Sequence, residues 1–420
     1  YNERGFKPVN VFAITGIAEE SKNISADKTE IGEKGIGFKS VFGVARKVHI
    51  ESGMFSLELQ KDNFTVPIPM YENYEPYQGT RLTIYLDSSH NAKDIHKNLL
   101  EQYTKKDAIL NKNPILFLNK LTHLKMFFDG WRYIEFNVEK KKAISSELMY
   151  EEDVVVSVDM KSSFNGQDRE NSNILTCKRY TLPIIYGQEA CQSRYGAEVA
   201  FSERRHNLIA VFPDMDDSLK NYNGILYSFL PTQIRISAPF VLHVPYKLNG
   251  SRDYVDPQGG NVWFNFTNEM LGRFLKQVFI HLSSIEKQKV IYYLPKKNSF
   301  IFAGDDDNSS RLRIAGLRAD VLYNEPIFFC EDGTFDCVKN IVSFAKDDVY
   351  EEPVRIHGLL QLEQKLFIPY SADVDMSQYG VRIIDRVTER LFRRGLSNEN
   401  VFGEIADVLE HLQQETRYFD

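Results

Sequence analysis

Apolar and polar residues alternate in short runs along most of this chain, and in a few places the period lengthens to that of a helix. From Arg81 to Leu86, Leu82, Ile84 and Leu86 face one way and their neighbours the other, which is the period of a half-buried strand. Leu124 to Phe128 and Trp131 to Val138 read as two further strands, and Asp129-Gly130 between them is a hairpin signal. The pattern stays strand-like from Val154 to Leu182 and from Glu198 to Phe212. Gln167 to Asn173, where Asp, Asn and Ser cluster, is expected to be a loop. Pro8 suits the first turn of a helix carrying Val11, Phe12 and Ile14. Asp94 to Lys106 and Glu269 to His281 also read as helical. Near the end Ile384, Val387 and Leu391 share one face, Gly395 is expected to stop that helix, and Val401, Ile405 and Leu409 mark another.

These elements predict an α+β protein. At 420 residues the chain is long for one core, so several domains are expected. The apolar run Pro114 to Leu118 places a first boundary near residue 110, and the change of character after Tyr293 places a second. The expected division is 1–110, a middle α+β domain at 111–292, and a C-terminal α/β or α+β domain with a helical hairpin at 293–420.

Composition narrows the function classes. A hydrophobic content of 43% with 26% charged residues describes a folded globular chain. A net charge of −7 argues against a dedicated nucleic-acid coat, which works by neutralising phosphates. Arg386, Arg390, Arg393 and Arg394 form a local basic patch that a solvated helix face explains. Four widely spaced cysteines match no zinc pattern, so no structural metal is expected. Gly304 to Ser310 is acidic but lacks the ordered spacing of a calcium loop, and reads as a linker. No apolar run approaches the ~20 residues of a membrane helix and no signal-peptide pattern stands at Tyr1, which makes a cytoplasmic location the expectation.

The most chemically specific stretch is Ile31 to Phe42, IGEKGIGFKSVF. Gly32, Gly35 and Gly37 allow successive backbone N–H groups to converge on an anion, and Lys34 and Lys39 add positive charge. A helix is expected to start near Gly37 and to aim its N-terminus at the same point. Taken alone, the glycines read more readily as an ordinary surface turn than as an anion cradle. The polar stretch Ala18 to Ile31 before them reads as a solvated loop.

The stretch GEKGIGFKS resembles the lid-end glycine motif of the gyrase, heat-shock chaperone, histidine kinase and MutL (GHKL) superfamily of ATPases, most closely its sacsin and NO VEIN-like branch. Asn2-Glu3-Arg4-Gly5-Phe6 is similar to that branch's adenine-side motif, and Gly79-Thr80 followed by Arg81 to Leu86 to its Gly-Thr strand. Phe229-Leu230-Pro231 and Ser251-Arg252-Asp253 resemble its segment after the ATPase domain. The resemblance spans roughly residues 1 to 290, and it departs from the superfamily in placing Tyr1 where an aspartate is expected.

The resemblance implies an N-terminal Bergerat-type α/β sandwich whose first helix, with a general-base Glu and a magnesium-binding Asn, lies upstream of Tyr1. It implies ATP and Mg²⁺ as cofactors. Gly32, Lys34, Gly35, Gly37, Phe38, Lys39 and Ser40 would take the phosphates, Asn2, Glu3, Gly5 and Thr80 the base or sugar, and Arg252 would sense closure against the γ-phosphate. The activity implied is an ATP-driven, chaperone-like conformational change, with an ATP-dependent homodimer and a protein client as partners. The alternatives are a nucleotide-dependent interaction module without turnover, or a DNA-associated clamp of the MORC or MutL kind in genome defence.

Overall fold

A computed structural model describes residues 5–16, 38–72, 74–103, 108–118, 121–128, 132–141, 144–145, 149–164, 167–186, 204–214, 222–246, 248, 255, 261–297, 299–303, 318–345, 353–369 and 374–416. Its class is α+β, with sheets and helices largely separate along the chain.

The first helix, α1 (Pro8–Thr15), starts at a proline whose missing N–H costs nothing there. The Asn10 side chain accepts from the Lys7 N–H at 2.8 Å and so caps its entry. Next come β1 (Ala45–Gly53), β2 (Phe55–Gln60), β3 (Asn63–Pro69) and β4 (Tyr77–Leu86), an antiparallel sheet in the order β3-β2-β1-β4. Val48 and Ile50 stand opposite Leu59 and Leu57 on one side and Ile84 and Leu82 on the other, so alternation puts one apolar face on all three strands. Val11 and Ile14 of α1, with Phe38, Val41 and Phe42 of the next turn, pack against that face. The opposite face is polar, with Lys47 paired to Glu58 at 2.7 Å and Arg81 to Glu51 at 3.2 Å.

After α2 (Ala92–Tyr103), a larger sheet takes over. Its strands are β5 (His123–Phe128), β6 (Arg132–Lys140), β7 (Ile144–Ser145), β8 (Tyr150–Phe164), β9 (Gln167–Tyr186), β10 (Arg204–Pro213), β11 (Ile225–Ser228), β12 (Leu230–Ile236), β13 (Val241–His243) and β14 (Phe302–Ala303). They run in the order β14-β12-β11-β13-β10-β9-β8-β6-β5, with β7 beside β8. The long helix α3 (Asn261–Glu286) supplies Phe274, Val278 and Phe279 to one face, among Phe212, Phe240 and Tyr293. Ile115, Leu116 and Phe117 cover the other, against Val154, Val156 and Val211. The core that holds α3 also takes in Val338, Ile341, Phe367 and Met376, so residues on both sides of position 293 share it.

The last part holds a hairpin of β15 (Phe328–Phe329) and β16 (Phe335–Asp336), then a parallel sheet of β17 (Ile341–Phe344), β18 (Lys365–Leu366) and β19 (Arg382–Ile384) in the order β18-β17-β19. Helices α4 (Pro353–Leu360), α5 (Val387–Ser397) and α6 (Phe402–Thr416) pack with it around Val342, Ile356, Ile384, Leu391 and Ile405. Among the described residues no helix is long and apolar enough to cross a membrane.

Four local expectations are corrected. Gln167 to Asn173 is strand, because β9 pairs with β8 out to Phe164↔Gln167, with Glu170 paired to Lys161 at 2.9 Å and the Ser172 hydroxyl donating to the Asp159 carboxylate. The stretch after Gly37 is a short 3₁₀ turn, Phe38–Gly43, that hands over to β1 and carries little of a helix dipole. Ile384 ends a strand rather than joining the helix of Val387. Gly395 does not stop α5: a Cβ there would lie 3.1 Å from the Phe402 ring, so glycine serves the packing of α5 on the start of α6. The expected turn at Asp129-Gly130 and the linker Gly304 to Ser310 lie outside the described residues.

Candidate functional site

Three backbone turns meet at one end of the small sheet. Gly5 precedes α1, Gly53 ends β1, and Gly79 lies near the start of β4. Gly5 has φ +85°, and a Cβ on it would lie 2.9 Å from the Gly53 nitrogen and 3.3 Å from the Gly79 carbonyl oxygen. Both conformation and contact therefore require glycine at this position. The Tyr74 hydroxyl donates to the Gly53 carbonyl at 2.8 Å and accepts from the Tyr77 N–H at 3.1 Å, which pins the β1 end to the β4 start.

Beneath these turns lie two buried hydroxyls. Ser52 and Thr80 stand opposite each other in register, on the same face as Val48 and Ile50. Ser52 Oγ accepts the Phe6 N–H at 2.8 Å and lies 2.7 Å from Thr80 Oγ1. One serine thus joins segments 46 and 28 residues away in sequence. Alternation would have accepted valine at both positions, and two hydroxyls stand there instead.

The predicted phosphate side is only partly described. The Lys39 ammonium donates to the carbonyl of Gly16, the residue that caps the end of α1, and lies 5.7 Å from the Phe64 ring centre. A cation at a helix C-terminus meets the free carbonyls of the last turn. This bond closes the two ends of the segment between residues 16 and 39. Phe38 packs edge-on to Phe42 at 6.4 Å inside the cluster, and Ser40 is exposed.

Of the residues picked from sequence, the fold therefore joins Gly5 to Thr80 through Ser52 and ties Lys39 to the end of α1. Asn2, Glu3, Gly32, Lys34, Gly35, Gly37 and Arg252 lie outside the described residues. Ser52 and Tyr74 were missed by sequence reasoning. The available signal for Ser52 was its place in the alternation Val48, Ile50, Ser52, where a third apolar residue was due.

No protein-family model matches this chain, and no curated protein does.

A second polar feature sits deep in the large sheet. His243 is wholly buried, its pKa pushed down to about 3 by loss of solvation first and by nearby positive charge second. Its Nδ1 accepts the Phe229 N–H at 3.0 Å, and Phe229 holds φ +66°, a left-handed conformation that costs a bulky residue energy. The Phe117 ring stacks 5.5 Å from the imidazole. The run Pro114 to Leu118 and the segment Phe229 to Pro231 therefore meet at one neutral histidine, a packing role for both. Among the described residues no group of three or more His, Cys, Asp or Glu side chains could hold a metal ion.

Proposed function

We propose that the N-terminal sheet is part of a Bergerat-type α/β sandwich that binds ATP, and that nucleotide binding drives a conformational change in the rest of the chain. The observation that carries this reading is the Gly5–Ser52–Thr80 junction. A glycine turn, a backbone N–H and two hydroxyls are gathered at the end of a sheet where an ordinary core would be apolar. A close backbone approach with few, fixed polar groups is how a site grips a flat heterocycle. Gly5 and Thr80 would face the base or sugar, and Lys39 and Ser40, with Gly32, Lys34, Gly35 and Gly37, the phosphates. ATP supplies the bond to be broken, and Mg²⁺ would arrive with it as the counter-ion of its phosphates. Lys39 has a second acceptor in the Gly16 carbonyl, so a phosphate would compete with the end of α1 for the same ammonium.

The test is calorimetric titration of the chain with ATP. Micromolar binding is expected, weakened about tenfold or more in Lys39→Ala, the scale of one charge-assisted hydrogen bond. Absence of binding in the unaltered chain sinks the reading. Phosphate release measured alongside separates hydrolysis from binding alone. Binding without turnover is the second reading, favoured by Tyr1 at the place of the superfamily's aspartate.

A further inference from the structure

Among the buried valines of the large sheet stands an arginine. Arg179 of β9 lies opposite Glu152 of β8 and Val211 of β10, two positions from Cys177, and so shares the face that Ile115, Leu116 and Phe117 cover. It is only 6% exposed. Its Nε lies 3.6 Å from the Glu152 carboxylate, too far for a hydrogen bond, and neither Nε nor Nη1 has a hydrogen-bond acceptor among the described residues. Two unmet guanidinium N–H groups in an apolar layer cost more than an apolar side chain of similar volume would.

A second cation stands beside the first. Lys140, at the end of β6, lies opposite Val154 on the same face. It is an exposed residue, yet partial burial first and the nearness of Arg179 second pull its ammonium below the ordinary lysine value, with Glu152 pulling the other way. The Glu152 side chain keeps 23% of its surface, so the group meets solvent at Glu152 and Lys140 and is closed at Arg179. Two cations and one carboxylate leave a surplus of one positive charge.

We propose that Arg179 and Lys140 form a binding site for a small carboxylate anion, with Glu152 limiting the charge it accepts. The surplus matches a monoanion, and the burial of Arg179 admits only a small solute. A carboxylate has two oxygens with about four lone-pair sites, enough to accept from Arg179 through one oxygen and from Lys140 through the other. Chloride brings the same charge to a single centre. None of these residues belongs to the proposed nucleotide site, and the inference stands apart from it.

The experiment is calorimetric titration of the full chain with sodium acetate, and with sodium chloride at matched ionic strength, in the unaltered chain and in Lys140→Met, Glu152→Gln and Arg179→Met, the thermal midpoint of each being recorded. Saturable acetate binding is expected in the unaltered chain, about tenfold tighter than chloride. Lys140→Met should weaken it about tenfold, and Glu152→Gln, which removes a like charge beside the anion, should tighten it by a similar factor. Arg179→Met, where folded, should abolish it; if that variant does not fold, the opposite signs at Lys140 and Glu152 decide. A charge cluster with only a structural role would move the midpoints and give no acetate saturation. The proposal is overturned by the lack of saturable acetate binding, by chloride binding as tightly as acetate, by acetate affinity in Glu152→Gln that is unchanged or weaker, or by undiminished acetate binding in a folded Arg179→Met.

Discussion

The two sheets of this protein solve different problems. In the large sheet, Phe212, Phe240 and Phe279 lie ring against ring beneath α3, with centres 4.7 to 5.9 Å apart, and both faces of the central strands are covered. In the small sheet, the apolar face is shared with Ser52 and Thr80, and Ile84 on that face keeps 45% of its surface. The first arrangement maximises buried apolar area and dispersion contact. The second gives up some of that gain to hold polar groups at the end of the sheet. Under the proposed reading, that concession belongs to the region that meets a ligand, and the large sheet is its support.

The sharpest way to break this comparison is to damage each side separately. Phe279→Ala removes a ring from the aromatic stack and should cost about 3–5 kcal/mol, seen as an earlier main transition in chemical denaturation. If the large sheet is only support, nucleotide affinity measured well below that transition should stay within about twofold. Gly5→Ala is expected to cost about 2 kcal/mol, from the left-handed backbone and the 2.9 Å approach to Gly53 together. Its effect should be the reverse: a smaller shift of the main transition than in Phe279→Ala, but loss of most nucleotide binding.

A third test uses pH. His243 is neutral when folded and its pKa lies at about 3, below the 6.5 of a free histidine. The unfolded chain therefore binds a proton that the folded one refuses, and this contribution to stability is present above pH 6.5 and is lost as pH falls towards 3. The limiting slope is about 1.4 kcal/mol per pH unit. Glu58 in the small sheet is held below the usual carboxylate range, first by Lys47 and then by Gln60. Its contribution is present above the unfolded value of 4.5 and is lost as pH falls through the folded value. Denaturation at a series of pH values should show the large sheet weakening from about pH 6.5 downwards, before the loss at Glu58 begins. The slope between pH 6.5 and 4.5 should flatten in His243→Asn, and an identical slope in the variant contradicts the assignment.

What could be read from sequence depended on how local its cause was. The strand Arg81 to Leu86 and the helix opening at Pro8 follow from side-chain period and backbone restriction within a few residues, and both stand in the structure. Gln167 to Asn173 misled because Asn, Asp and Ser favour turns, whereas its pairing with β8 is decided by a neighbour across the sheet. Asn165-Gly166, the two residues between the paired Phe164 and Gln167, was the better hairpin signal there. Helix α3 extends well beyond the stretch read as helical because its ends are fixed by tertiary packing, with Phe264 and Phe266 buried in the core. At the candidate site, Gly5 and Thr80 were legible as parts of short motifs. Ser52 was not picked out, since its partners lie 46 and 28 positions away and its one local trace is a polar residue where the alternation of Val48 and Ile50 calls for an apolar one.

The most direct test of the central claim, that a nucleotide base sits against the Gly5–Ser52–Thr80 junction, is photolabelling with 8-azido-ATP followed by peptide mapping. The account predicts saturable labelling that excess ATP suppresses, confined to peptides carrying residues 5–16 or 74–86. Saturable labelling on the strands of the large sheet instead, or labelling that ATP does not compete, contradicts it.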